Sequence, residues 1–231
     1  MDTVRVSWSG GKDSTAAVLL HLEAGHSVTA VCYVPMFDET TPLITRIHYE
    51  FLERAAAKLR VLGAVVQFVH GMTYVDFVTY KITRGKNKGK TMGFPCYLTG
   101  KCNFRVYSKA KALSSEELEK YDYEDIGIAA DEIARHGQLT ERKRSILVEN
   151  DYSEEDARHI CIEYGLLSPL YASGIKRDGC ALCPHAKPEV RQMWFNDYPH
   201  VVPKLRSLQQ IVRIERPEHP PMRKGLYFLE D

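Results

Sequence analysis

The chain has no apolar run approaching the length of a bilayer crossing, which excludes a helical membrane span. It also has no excess of either charge. A formal net charge of +1 over 231 residues excludes a globally basic protein, so any nucleic-acid surface must be local. An apolar leader is missing as well, because the strand pattern Val4, Val6, Trp8 begins almost at once, and a cytoplasmic location is expected. In that compartment six cysteines argue for metal or redox chemistry more than for disulfides. The Walker spacing GxxxxGK[ST] is absent too. What is present is a hydrophobic fraction of 44%, enough for one full core.

SWSGGKDST, Ser7 to Thr15, lies between the first strand pattern and the apolar helical stretch AAVLLHLEAG. Gly10 and Gly11 permit positive φ and close backbone approach. N–H groups from Gly10 to Ser14 can therefore face one concavity at the positive end of a helix dipole. Ser9, Ser14 and Thr15 add hydroxyl donors and Lys12 adds a cation. Asp13 beside a phosphate implies Mg2+ between them, or a structural role in the first turn; an N-cap with no ligand is the plainer alternative.

A second strand over His26 to Val34 ends at Pro35. An amphipathic helix, ITRIHYEFLERAAAKLRVLG, closes at Gly63, and AVVQFVH follows as a third strand. This alternation predicts an α/β protein with an open, mostly parallel sheet and helices on both faces, Rossmann-like, with ligands beyond the carboxyl ends of its strands. Residues 1–175 are expected to form the nucleotide-binding domain. A cysteine-containing helical part, 176–231, is expected to pack on it.

From Tyr74 to Phe94 the pattern reads as a mobile basic loop, with Lys81, Arg84, Lys86, Lys88 and Lys90 among glycines. Residues 81–90 can close over a polyphosphate, touch a nucleic-acid or small-molecule acceptor, or simply be solvated. Cys102 opens a basic helix, and YEDIGIAADE predicts a fourth strand over Asp125 to Ala130, running into Asp131, Glu132 and Arg135. Arg135 can pair a phosphate or sulfate while Asp131 or Glu132 holds Mg2+; an ordinary salt-bridged turn is the alternative. Cys180 and Cys183 form a C-x-x-C knuckle before Pro184, which is half of a tetrahedral site. The rest must come from Cys32, Cys96, Cys102, Cys161 or His185, with Cys32 most simply a core residue inside a strand. Four thiolates suit zinc or an iron-sulfur cluster, and spacing does not separate them. Trp194, Phe195 and Tyr198 can stack a base or pack in the core.

SGGKDS is the signature of the PP-loop, and here the chain resembles the adenine nucleotide alpha-hydrolase-like superfamily. With Arg84 to Lys90, Cys102, Gly127 to Arg135, Cys161 to Tyr171 and Gly179 to Pro184, it is similar over nearly its whole length to phosphoadenosine phosphosulfate (PAPS) reductase-like proteins of bacteria and phages. The resemblance implies an enzyme whose ligand is an adenine nucleotide, ATP or else APS or PAPS, held by Ser9, Gly10, Gly11, Lys12, Asp13 and Ser14. It implies adenine contacts from the main chain at Val34 and Met36. Lys12, Asp13, Asp131 and Arg135 would act in catalysis, and Cys102, Cys161, Cys180 and Cys183 would hold one centre, a four-iron cluster or alternatively Zn2+. Cys96 competes for the fourth place. Two departures stand out. Cys102 follows Lys101 where assimilatory APS reductases have a cysteine pair, and the tail PPMRKGLYFLED has no cysteine to attack a sulfonucleotide. The expectation is therefore adenylation with pyrophosphate release, with sulfur transfer as the use it would serve. Sulfonucleotide reduction or sulfur transfer, and a non-catalytic nucleotide sensor or nucleic-acid-binding component, are the alternatives.

Overall fold

The computed structural model describes residues 1–95, 97–98, 101–113, 115–175, 179–183 and 185–219. The chain runs β1 (Thr3–Trp8), α1 (Lys12–Glu23), β2 (Ser27–Tyr33), α2 (Arg46–Val61), β3 (Val65–Val69) and α3 (Tyr74–Thr79). It continues through β4 (Tyr97–Leu98), β5 (Lys101–Cys102), α4 (Asn103–Arg105), β6 (Tyr123–Asp125) and β7 (Lys143–Arg144). The last helices are α5 (Ile146–Glu149), α6 (Glu154–Glu163), α7 (Pro188–Asp197) and α8 (Val201–Glu215). None of the described helices is long and apolar enough to cross a membrane.

Two compact units share these elements. The first, Met1–Tyr33, Ile47–Val69 and Leu113–Arg177, holds an all-parallel sheet in the order β3-β2-β1-β6-β7. This is the open α/β architecture that the alternating pattern predicts. The central strand β1 is covered on both sides, as interior parallel strands are: Val4, Val6 and Trp8 are buried, and so is Arg5 between them. The Trp8 indole donates to Thr15 Oγ1 on α1 at 3.0 Å, fixing the helix to the strand that precedes it. α2 buries His48, Phe51, Leu52, Ala55, Ala56 and Leu59, the i, i+3, i+4 stripe of an amphipathic helix. β2 and β3 lie on one side of β1, β6 and β7 on the other. The order in which strands are added thus switches sides between β1 and β6, and the carboxyl ends of those two parallel strands flank the sheet's switch point.

The fourth strand lies earlier than expected and is shorter: β6 covers Tyr123–Asp125, and the expected span Asp125 to Ala130 shares only Asp125 with it. It ends at Asp125, and the chain leaves the ladder there because the Asp125 carboxylate turns back to accept from Gly127 N–H at 2.8 Å and Ile146 N–H at 2.7 Å.

The second unit, Val34–Arg46, His70–Ala112 and Asp178–Asp231, draws on three segments where the sequence pattern pointed to the C-terminal one. Its core gathers Phe37, Tyr74, Phe77, Phe104 and Trp194 with Leu205 and Leu208 of α8. Burying one such large side chain is worth about 1.5–3 kcal/mol, which accounts for a core in a unit of this size. Tyr74, Phe77 and Val78 belong to this core, so the stretch read as loop opens with a packed helix, capped by Thr73 Oγ1 accepting from Asp76 N–H. Residues 81–91 are a hairpin rather than a loose loop. Lys81 and Thr91 form an isolated antiparallel bridge, and Lys81 Nζ pairs with Glu215 at 2.5 Å. Trp194 is fully buried and its indole donates to the Pro42 carbonyl at 2.7 Å, the packing role rather than a stacking platform.

Candidate anion-binding site

Gly10, directly after β1, has φ +73, and a Cβ on it would lie 2.5 Å from Leu52 Cδ2 of α2. Only glycine meets both conditions. Gly11 caps α1 in an extended conformation, and its carbonyl accepts from Ser14 Oγ at 3.1 Å and from Thr15 N–H at 3.0 Å. Ser14 Oγ also receives the Ser9 N–H at 3.2 Å and lies 3.2 Å from Ser9 Oγ. The turn is thereby closed on itself. The N–H groups of the first turn of α1 have no intrahelical acceptor and carry the positive end of the helix dipole.

Lys12 is held at all three of its polar groups. Its Nζ pairs with Asp13 Oδ1 and with Glu154 Oε2, both at 2.7 Å. Its N–H donates to Tyr171 Oη at 3.1 Å, and its carbonyl accepts from the Cys161 thiol at 3.2 Å. Burial works against the lysine's charge, but its two carboxylate partners outweigh it and raise its pKa. Burial also pushes Asp13 upward, with Glu154 and Glu132 adding to the rise and Lys12 opposing it.

The segment after β6 reaches the same place. Gly127, φ +44, packs so closely that a Cβ would stand 2.8 Å from Ser14 Cα. Glu132 takes the Arg135 guanidinium at 2.6 Å, and this pairing, against the pull of burial, keeps its carboxyl below the usual range. Glu132 lies within electrostatic reach of both Lys12 and Asp13. Asp131 has another job. It is exposed, and its Oδ1 accepts the Glu154 N–H at 3.0 Å, seating the start of α6 so that Glu154 meets Lys12.

Val34 and Met36, the positions expected to contact adenine, belong to the second unit. Their carbonyls accept from His70 Nδ1 at 3.3 Å and Tyr74 N–H at 2.9 Å.

The four cysteines expected at one centre divide between the units. Cys102, at the start of α4, lies with Cys180 and Cys183 in the second unit. Burial raises the Cys102 thiol, the N–H groups of Arg105 and Phe104 pull it down, and Cys183 adds to the rise. Buried Tyr74 senses both Cys180 and Cys102. Cys183 N–H donates to the Cys180 carbonyl at 2.8 Å, the turn of the knuckle. Among the described residues no three His, Cys, Asp or Glu side chains are arranged to hold a metal ion. Cys161 belongs to the first unit, fully buried, with its thiol pushed up to about 12 chiefly by burial. Cys96 lies outside the described residues.

Glu154 and Tyr171 are the groups the sequence did not single out. Each is more than 140 positions from Lys12, so no local spacing announces them. The fold and site define an open parallel α/β protein with a glycine-lysine turn at its switch point. No protein-family profile and no curated protein sequence matches the chain.

Proposed function

We propose that the protein is a PP-loop enzyme that binds ATP through Ser9, Gly10, Gly11, Lys12 and Ser14 and adenylates a substrate. In this reaction a substrate oxygen attacks the α-phosphorus. The bond to the bridging oxygen breaks and its electron pair leaves on pyrophosphate; sulfur or nitrogen then displaces AMP. The observation that carries the reading is Lys12 among three acids, Asp13, Glu132 and Glu154, at the start of α1 beside a strand switch point. Three carboxylates against Lys12 and Arg135 leave a net negative site that suits a divalent cation, and Asp13 and Glu132 are the residues to hold it. Bound there, Mg2+ would neutralise charge on the leaving pyrophosphate. Lys12 and Arg135 would bind and orient the phosphates.

Sulfonucleotide reduction is less well supported. The first unit holds two cysteines, Cys32 and Cys161, both buried, and a thiol pushed up to about 12 is a poor nucleophile near neutrality.

Cys102, Cys180 and Cys183 are the residues to hold a metal centre, with Cys96 in the fourth place, since the Cys161 thiol is engaged by the Lys12 carbonyl. The set fits in kind: Cys102, Cys180 and Cys183 are half-buried, and Cys102 and Cys180 pack against the unit's apolar cluster. A four-iron cluster there would supply a sulfur or electron relay, whereas zinc would be structural. Exposed Arg84, Lys86 and Lys88 at the hairpin tip are the surface for a nucleic-acid or other anionic acceptor.

Pyrophosphate release from ATP, abolished in Lys12→Ala, is the expected outcome. Turnover of APS or PAPS to sulfite would replace this reading with reduction, and nucleotide binding without any product would make the protein a sensor. Anaerobic purification with an absorption spectrum and metal analysis separates iron from zinc.

A further inference from the structure

The Lys12 N–H, at the first position of α1, is spent on Tyr171 Oη at 3.1 Å. That phenol accepts at its oxygen, and its own proton has no acceptor among the described residues. A Cβ built on Gly11 would lie 3.4 Å from Ser9 Oγ and 3.8 Å from Tyr171 Oη, so two hydroxyls flank the bare face of Gly11. We propose that the Tyr171 hydroxyl is a further phosphate-binding group of this loop, donating its proton to a phosphate oxygen seated between it and Ser9. The proposal rests on reading the loop as a phosphate cradle.

The chemistry is a relay of polarity. The Lys12 N–H, pointing at the phenol oxygen, orients the O–H away from itself, and the donor capacity of the helix start is carried one bond further out. Burial raises the phenol's pKa, with the Lys12 N–H pulling the other way, so Tyr171 stays a neutral donor at any working pH. Its position is set by the 3-10 turn Pro169–Tyr171, where Ser168 Oγ accepts the Leu170 N–H and Leu170 is buried. A rigid ring held in this way orders few additional rotors on binding. The ligand class is a phosphoanhydride, whose anionic oxygens accept and never donate, so a wall of donors selects it over a neutral group of similar size.

The test is calorimetric titration of the full chain with inorganic pyrophosphate and with ATP, comparing wild type with Tyr171→Phe. Phenylalanine keeps the ring and removes only the hydroxyl. A hydrogen bond to a charged acceptor predicts pyrophosphate affinity weakened about tenfold, with the ligand-free melting temperature nearly unchanged. Equal or tighter binding by Tyr171→Phe would overturn the proposal and reduce the phenol to a cap on Lys12, while the cradle reading stands. Failure of the wild-type chain to bind either ligand would remove the cradle and the proposal together. A readout that needs no variant is the wild-type chain labelled at tyrosine 13Cζ, in which pyrophosphate is expected to shift one tyrosine resonance, that of half-buried Tyr171. An unchanged tyrosine spectrum on saturation would also overturn the proposal.

Discussion

The Cys161 thiol donates to the carbonyl of Lys12 at 3.2 Å. A cysteine that the family resemblance groups with a metal knuckle donates its thiol proton to the backbone of the lysine of the glycine turn. Glu154, Cys161 and Tyr171 all come from α6 and the turn that follows it, and they engage the side chain, carbonyl and N–H of Lys12. The segment 154–171 therefore sets where the turn's lysine stands.

This relationship separates Cys161 from the other cysteines by reactivity. In the native protein free of metal, a disulfide-exchange reagent at pH 8 is expected to modify Cys102, Cys180 and Cys183 and leave Cys161 unreacted until the chain unfolds. Metal content is expected to survive Cys161→Ala and to fall in Cys180→Ala. Loss of metal in Cys161→Ala would return this residue to the ligand set.

Gly127→Ala tests the contact between the two sides of the switch point. The new Cβ meets the Ser14 backbone at 2.8 Å, which a flexible side chain cannot relieve, and φ is +44. A loss of about 2 kcal/mol or more in urea unfolding is expected, together with weaker nucleotide binding because Ser14 is displaced.

Glu154 competes with any anion for Lys12. Glu154→Gln removes that competitor while keeping its size, so pyrophosphate measured without divalent cations is expected to bind up to about fivefold more tightly, in line with a half-exposed ion pair worth about 1 kcal/mol at most. Weaker binding would mean that Glu154 serves the ligand rather than restraining the lysine.

Acid stability is expected to have a component from Asp38 in the second unit. Burial raises its carboxyl, but Lys204 and hydrogen bonds from Thr40 and Thr41 prevail and bring it down to about 2. A carboxyl lowered in the folded state adds stability above its unfolded value, near 4, and loses it as pH falls through its folded value. Thermal melts of Asp38→Asn against wild type should differ most above pH 4 and converge between about pH 4 and pH 2. A difference that stays constant across that range would rule out the linkage.

The glycine turn was legible because everything that shapes it is local: two glycines, a lysine and hydroxyls within a few positions of a strand end. The parallel sheet was legible because strand and helix periods alternate cleanly from Val4 to Val69. The end of β6 was not, since the Asp125 carboxylate stops the strand by accepting from the N–H groups of Gly127 and Ile146, the second of them twenty-one positions away. The helix Tyr74–Thr79 was hidden for a related reason. Its apolar face is short, and its partners Phe104, Trp194 and Leu205 lie in distant segments.

Residue type and spacing were sufficient for a concavity of donors behind β1 and for an open α/β sheet, because backbone geometry and period act over a few residues. Folding in three dimensions settled which groups meet Lys12, namely Glu154 at its ammonium, Cys161 at its carbonyl and Tyr171 at its N–H. Those choices depend on side chains brought within about 3 Å of one another across more than a hundred positions of chain, and no short-range rule encodes such a meeting.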